Sequence, residues 1–268
     1  MDSLKAFVPD VSFELIPINN LVSNQEYQRT LSKRHIEKMA DNFNLYQINP
    51  VKISRRDNLN FIINGQHTTE VVALVSGSRE TPVWCMIYNN LDYLQEADIF
   101  AQQQKYTKAL LPYEIFTAFI EADSDKHIII KDLVEQCGLR LFKTKSNCSI
   151  CAVSSLSDIY DKYGYEGLER TLRFIVKAWE GDANSLSSSM LRGVALLIST
   201  FGESLQEDLF AERLGSFTAR EIMRTARERR NGSLGYAETM LMLYNKKKKS
   251  TLSMTRLYKS GKQEAASI

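Results

Sequence analysis

The segment over residues 61–72 constrains the fold most, because its periodicity changes within a few positions. Residues 61–63 are an apolar run typical of a buried strand, and residues 71–75 belong to an apolar helix. Between them lies the glycine turn Asn64-Gly65-Gln66-His67. A turn that brings polar side chains to a helix N-terminus favours an anion site, since backbone N–H groups and the helix dipole point at the ligand.

Strand patterns on both sides of this turn indicate a small sheet. Strands are predicted at residues 11–18, 50–53, 60–63 and 81–88. Ser32 is a suitable N-cap for a helix with an amphipathic face, and a second helix starts near Thr68. A third is predicted over residues 91–104. We therefore expect an α/β domain with a short mixed sheet over residues 1–110.

Strand patterns end near Pro112, and only helices are predicted beyond it. Their expected positions are residues 115–122, 130–137, 148–163, 165–179, 187–201, 205–214, 218–230 and 237–244. The predicted fold class is therefore α+β, with the α/β domain followed by an all-α domain over residues 111–244. Residues 245–268 are expected to form a basic, flexible tail.

The first helices of this second domain suggest a DNA-binding motif. Residues 130–137 and 149–160 flank a basic loop that contains Arg140, Lys143 and Lys145, an order similar to a helix-turn-helix. The loop is longer than the usual three or four residues. The second helix also lacks basic residues at its start, where base edges are normally contacted. The sequence therefore allows two interpretations of these helices, a DNA-binding pair and an ordinary helix pair.

A second set of cations lies towards the C-terminus. Arg220, Arg224 and Arg227 recur at helical spacing on one face, and four lysines follow at residues 246–249, namely Lys246, Lys247, Lys248 and Lys249. The chain as a whole has a net charge of only +2, so these cations are concentrated locally. Contact with nucleic-acid phosphates is one interpretation. A solvated charged helix face and a solubilising tail are the alternatives.

Composition excludes several classes of protein. No run of about 18 apolar residues and no signal-peptide pattern occurs, so we expect a cytoplasmic protein without a membrane partner. The four cysteines predict free thiols. Cys148 and Cys151 have C-x-x-C spacing without a second ligand pair, so no metal site is predicted, and both are expected in a partly buried helix.

Candidate catalytic groups are few. No nucleophile elbow, Walker-type loop or zinc-protease motif occurs. His67 is a candidate acid or base, with Glu70 and Glu114 as candidate carboxylates. The alternative for His67 is a purely structural hydrogen bond that orders the turn.

The order of these elements resembles a known family. Gln28-Arg29 lies in a polar box, Asn64-Gly65-Gln66-His67 is similar to a glycine box, and Leu111-Pro112-Tyr113-Glu114 is similar to an L-x-P-x-E signature. Together they resemble the N-terminal domain of ParB-like proteins, within the ParB/sulfiredoxin superfamily. The resemblance covers about residues 11–118.

The resemblance implies a role linked to nucleotides and DNA. Chromosome-partitioning members bind CTP with Mg²⁺ through this domain, and other members are nucleases or phosphorylate free serine. By position, the nucleotide or phosphate site would contain Gln28, Arg29, Gly65, Gln66, His67, Thr68 and Gln104. A nucleoside triphosphate with Mg²⁺ is thus the implied cofactor. DNA is the implied partner, in a homodimer of a phage or mobile-element protein.

The chain departs from the family pattern where charge matters. His67, Thr68 and Glu70 stand where the glycine box carries arginines, which removes guanidinium groups that would hold a triphosphate. Gln66 replaces the cysteine that sulfiredoxins need. We therefore predict a DNA-binding protein with an altered nucleotide site. A metal-dependent nuclease or small-molecule kinase is one alternative, and a protein-interaction module with an inactive pocket is another.

Overall fold

The computed structural model of the chain describes residues 10–23, 28, 30–89, 91–105, 109–246 and 251–259, without the side chain of Gln104. The chain divides into two compact units, over residues 1–109 and 110–268.

A five-stranded mixed sheet organises the first unit. Its strands are β1 (Val11–Pro17), β2 (Leu21–Ser23), β3 (Val51–Arg56), β4 (Leu59–Asn64) and β5 (Pro82–Asn89). They lie in the order β1-β5-β3-β4-β2. The β1/β5 and β3/β4 pairs are antiparallel, whereas β3/β5 and β2/β4 are parallel. Buried residues alternate along β5, as expected where one sheet face packs on a core, whereas β3 buries the consecutive residues Ile53 and Ser54.

Three α-helices are described in this unit. They are α1 (Lys33–Asp41), α2 (Gln66–Ser76) and α3 (Tyr93–Lys105). Val72 of α2 joins the apolar cluster formed by strand residues such as Ile53, Ile62 and Ile87. On α3, the fully buried Glu96 accepts a hydrogen bond from Arg56 Nε of β3 at 2.7 Å. Arg56 also lies 4.0 Å from the centre of the Phe61 ring. A desolvated ion pair thus joins α3 to the sheet.

The second unit is mainly helical. Its helices are α4 (Pro112–Glu121), α5 (Asp125–Gln136), α6 (Val153–Trp179), α7 (Ser188–Phe201), α8 (Glu207–Gly215), α9 (Ala219–Arg229) and α10 (Ser233–Asn245). The nearly fully buried α7 is packed by α6 and α10, and residues from most of these helices share one core. Gly164, with a φ of 69°, interrupts α6. The interruption lies at the residue where the sequence predicts the end of one helix and the start of the next. The predicted fold class, a mixed-sheet α/β unit followed by helices, is confirmed.

The predicted helix over residues 148–163 starts too early. Ser149–Ile150 forms strand β7, which pairs in parallel with β6 (Arg140–Leu141), and α6 begins only at Val153. Cys148 has a φ of 55°, and its N–H donates to the carbonyl of Gly181 at 2.8 Å, which holds this segment out of a helix. Cys148 and Cys151 are exposed rather than partly buried. The strand pair also lengthens the connection between α5 and α6 beyond a helix-turn-helix turn.

Part of the predicted flexible tail is folded. Residues 254–259 are helical, and Leu257 is fully buried in the core of the second unit. Asn245 fixes the start of this segment, since its side chain bonds to both the N–H and the carbonyl of Leu252 at 2.9 Å. Lys247, Lys248 and Lys249 lie outside the described residues.

Among the described helices, none is long and apolar enough to cross a membrane.

Candidate functional site

The glycine turn has the geometry that its sequence predicts. β4 ends at Asn64, Gly65 is the N-cap of α2 with a φ of 108°, and the helix begins at Gln66. A Cβ atom on Gly65 would lie 3.3 Å from the Cα atom of Val51. Glycine is therefore required both by the left-handed backbone and by the close approach of β3.

Two of the predicted phosphate ligands are held in hydrogen bonds within the fold. Gln66 is buried, and its Oε1 atom accepts a bond from Ser23 Oγ at 3.0 Å. Gln28 is also buried, and its Nε2 atom donates to the carbonyls of Ile62 and, at 3.3 Å, Ile63. These bonds fasten the segment after β2 to the end of β4. The two glutamines thus shape the turn, whichever ligand it holds.

His67 lies where two helices begin. Its Nε2 atom accepts the N–H of Ser32, the N-cap of α1, at 3.5 Å. The exposed His35 of α1 lies edge-on to it, with 5.5 Å between the ring centroids. Nothing local in the sequence relates residues 35 and 67, so only the fold brings these two rings together. The bond from Ser32 agrees with a structural role of His67, which orders the turn. Its role as an acid or base stays a prediction.

Two cavities border the turn. A pocket of 230 Å³ is lined by Gln28, Asn64, Gly65, Gln66, His67, Thr68 and Phe100. A larger groove of 470 Å³ lies between α1 and α2, is lined in part by His35, Lys38 and Phe43, and shares Thr68 with the pocket. The pocket alone is smaller than the roughly 300–1,000 Å³ of most small-molecule sites. Phe100 was not predicted, since it looks like an ordinary apolar helix residue.

The described lining of the pocket carries little positive charge. Among its described lining residues, none is a lysine or arginine. Arg29 lies outside the described residues. Gln104 belongs to α3, but its side chain is not described. The described part of the pocket therefore offers amides, an imidazole and the N-terminus of α2 to an anion.

The candidate carboxylates have structural partners. Glu70 accepts two-pronged hydrogen bonds from Arg79 at 2.9–3.1 Å. Glu114 lies in the second unit, where it caps α4 by accepting the N–H of Leu111 at 2.7 Å. In the described part of the chain, no three His, Cys, Asp or Glu side chains form a group that could hold a metal ion. Both candidate carboxylates therefore have a structural role in the fold.

The second unit brings separate basic segments together. Lys145 from the β6–β7 loop and Arg220, Arg224 and Arg227 from α9 line one groove of 440 Å³, which we call the basic groove. All four are exposed. Lys145 Nζ donates to Asn184 Oδ1 at 2.7 Å, which holds the lysine at the rim. In the parts of the chain described, no carboxylate forms an ion pair with any of the four.

The other predicted nucleic-acid residues that the structure describes, Arg140, Lys143 and Lys246, do not line this groove. Arg140 Nε donates to Ser149 Oγ at 2.8 Å, and its guanidinium lies 5.7 Å from the centre of the Phe142 ring. Lys143 is exposed in the same loop, and Lys246 is exposed at the end of α10. The remaining members of the basic groove, Asn184, Met223 and Glu228, carry no sequence signal that relates them to Lys145.

Comparisons with known proteins give a family and a distant structural likeness. Residues 22–256 match the model of a protein family described as "Family of unknown function (DUF6551)". No curated protein matches the chain. Among solved structures, it is similar to the C-terminally truncated chromosome-partitioning protein ParB from Caulobacter crescentus, complexed with CTP-gamma-S. The identity is 15%, the TM-score is 0.37, and the match covers 87% of this chain and 98% of that chain.

Proposed function

Because the chain belongs to the DUF6551 family, whose function is unknown, we propose a function from its own sites: it binds DNA through the phosphates. The observation that carries this proposal is the convergence of Lys145 with Arg220, Arg224 and Arg227 on the basic groove. Clustered, exposed cations are the usual electrostatic footprint of a nucleic-acid surface.

The acidic residues of α9 do not balance the four cations of this groove. Glu221 caps the helix, since its carboxylate accepts hydrogen bonds from the N–H and hydroxyl of Thr218 at 2.8 and 2.7 Å. These bonds, and the charge of Arg224, lower the pKa of the Glu221 carboxyl. The Glu221 charge therefore stabilises the N-terminus of α9, which the capping hydrogen bonds satisfy. Glu228 is the one acidic residue among the described lining residues, against four cations.

A salt titration tests the proposal. Duplex DNA carrying a fluorophore is titrated with protein at several salt concentrations, and anisotropy gives the dissociation constant. If four cations contact phosphates, the logarithm of the association constant falls with the logarithm of the salt concentration, with a slope of about −3 to −4. Arg224→Gln should weaken binding to every sequence and make the slope shallower by roughly 1.

The matched control removes the same charge elsewhere. Lys131 lies on α5 with 43% of its side chain exposed, and it does not line the basic groove. Lys131→Gln should therefore leave affinity and slope unchanged. Binding that ignores ionic strength, or no binding at low salt, contradicts phosphate contact.

The turn in the first unit supports a second candidate function, the binding of a phosphate-bearing small molecule. The specific observation is the pocket at the N-terminus of α2, next to the larger groove between α1 and α2. Following the family resemblance, we propose a nucleoside triphosphate with Mg²⁺ as the ligand to test first. The nucleotide's own phosphates and water molecules would supply most of the metal's ligands.

Calorimetry with each nucleoside triphosphate and Mg²⁺ checks this second function, with His67→Ala as the variant. Loss of binding heat in the variant supports the site. The same mixtures, incubated with DNA or free serine, distinguish binding from the nuclease and kinase alternatives. Absence of both binding and turnover favours the interaction-module alternative.

A further inference from the structure

We propose that the basic groove takes single-stranded nucleic acid, and that Phe142 is the platform on which one of its bases stacks. This inference rests on the proposed DNA-binding function and adds the class of substrate. Its premises are the exposure of Phe142, its fixed position and its closeness to Lys145.

Phe142 is an exposed aromatic side chain held by a rigid backbone. It is 42% exposed. Its N–H donates to the carbonyl of Ile150 at 3.0 Å, which extends the β6–β7 pairing to this residue. Arg140 lies 5.7 Å from the ring centre and is itself held by Ser149. The ring is therefore presented to solvent beside a cation, and it does not fill a core.

The platform adjoins the basic groove. Lys145 is the third residue after Phe142, and a chain of three residues spans at most about 10 Å. The loop is also fixed to the segment that carries Asn184, since Asn147 Oδ1 accepts the N–H of Ala183 at 3.1 Å. Lys145 in turn contacts Asn184. A strand whose phosphates lie in the groove therefore has its bases within reach of the Phe142 ring.

Stacking on a protein side chain selects for unpaired bases. In a duplex each base face is covered by its neighbours, whereas a single strand can turn a base onto an aromatic ring. Proteins that bind single strands combine a positive groove with such rings, and each stacked base contributes roughly 5- to 150-fold in affinity. Phosphate contacts alone would bind both forms.

The experiment compares three probes of one sequence: an oligodeoxynucleotide, its duplex, and the corresponding oligoribonucleotide. The full-length protein should bind the single strand more tightly than the duplex. Phe142→Leu keeps an apolar side chain without an aromatic face, and it should weaken single-strand binding at least fivefold while leaving duplex binding unchanged. Phe142→Tyr should retain affinity.

Tyr165→Leu is the matched control, because Tyr165 is 48% exposed on α6 and lies outside the groove. It should have no effect on any probe. The ribonucleotide probe shows whether DNA or RNA is the preferred source of the strand.

The outcomes separate this inference from the function it rests on. Equal or tighter duplex binding, an unchanged single-strand affinity in Phe142→Leu, or an equal loss on both probes overturns the stacking platform while phosphate binding stands. No binding of any probe at low salt overturns both.

Discussion

The four cysteines have different surroundings, which predict different reactivity. Cys85 is fully buried on β5, and burial raises the pKa of its thiol to about 11. Cys148 and Cys151 are exposed. Since the thiolate is the reactive form, iodoacetamide at pH 8 should modify Cys148 and Cys151 long before Cys85. Mass spectrometry of peptides over a time course measures this, and equal rates would show that Cys85 is accessible.

His127 makes the second unit sensitive to acid. The centroid of its ring lies 4.8 Å from that of Phe116 and 4.6 Å from that of Phe119. Burial, the largest cause, and the charge of Lys126 lower its pKa below the usual 6.5, with Asp161 opposing them. The folded state therefore disfavours the charged imidazole more than the unfolded chain does.

The sign of the pH dependence follows. The stability that comes from keeping His127 neutral is fully present above pH 6.5. It is lost as the pH falls through 6.5, the pKa of the imidazole in the unfolded chain, towards its lower pKa in the folded state. Urea unfolding at pH 7.5 and 5.5 should show a fall in the free energy of unfolding that is smaller in His127→Gln. Identical falls in the two proteins would assign the effect to other groups.

At the scale of elements, the β4–α2 turn depends on Gly65. Gly65→Ala would force a left-handed backbone on alanine and press a Cβ atom against Val51. We expect a loss of roughly 1–3 kcal/mol in the free energy of unfolding. Gly77→Ala is the control, because Gly77 ends the same helix with a φ of 70° but has no atom within 4 Å of the added Cβ. The difference between the two variants in denaturant melts measures the close approach of β3.

The contact between α3 and the sheet depends on the Arg56–Glu96 pair. Glu96 is fully buried, so Glu96→Ala removes the partner of Arg56, whose side chain is only 26% exposed. We expect a loss of roughly 2–4 kcal/mol, near the usual cost of breaking a buried pair. Glu70→Ala breaks the more exposed pair with Arg79 in the same unit and should cost about 1 kcal/mol or less. Denaturant melts measure the free energy of unfolding of both variants. Equal losses in Glu96→Ala and Glu70→Ala would contradict the role of burial.

At the scale of the whole molecule, the two candidate sites belong to different units. We therefore expect separable effects. His67→Ala should alter nucleotide binding with unchanged DNA affinity, and Arg224→Gln should do the reverse. Measuring both ligands on both variants checks this. A loss of both affinities in either variant would mean that the two sites are energetically coupled.

Local sequence determined the secondary structure and the turn. The alternating pattern of β1, the glycine of the turn and the capping box of α9 each act within a few residues, so they were predictable. The helix predicted from Cys148 failed because a contact with Gly181, distant in sequence, fixes that segment as a strand. The resemblance to ParB-like proteins and the roles of the predicted site residues stay predictions.

Only the tertiary structure decided which polar groups share a site. It placed Gln28 and Gln66 in buried hydrogen bonds, gave Glu70 and Glu114 structural partners, and brought Lys145 beside the arginines of α9. Periodicity and capping record interactions between near neighbours in the chain. The convergence of distant segments depends instead on how apolar faces pack, and that packing creates the basic groove.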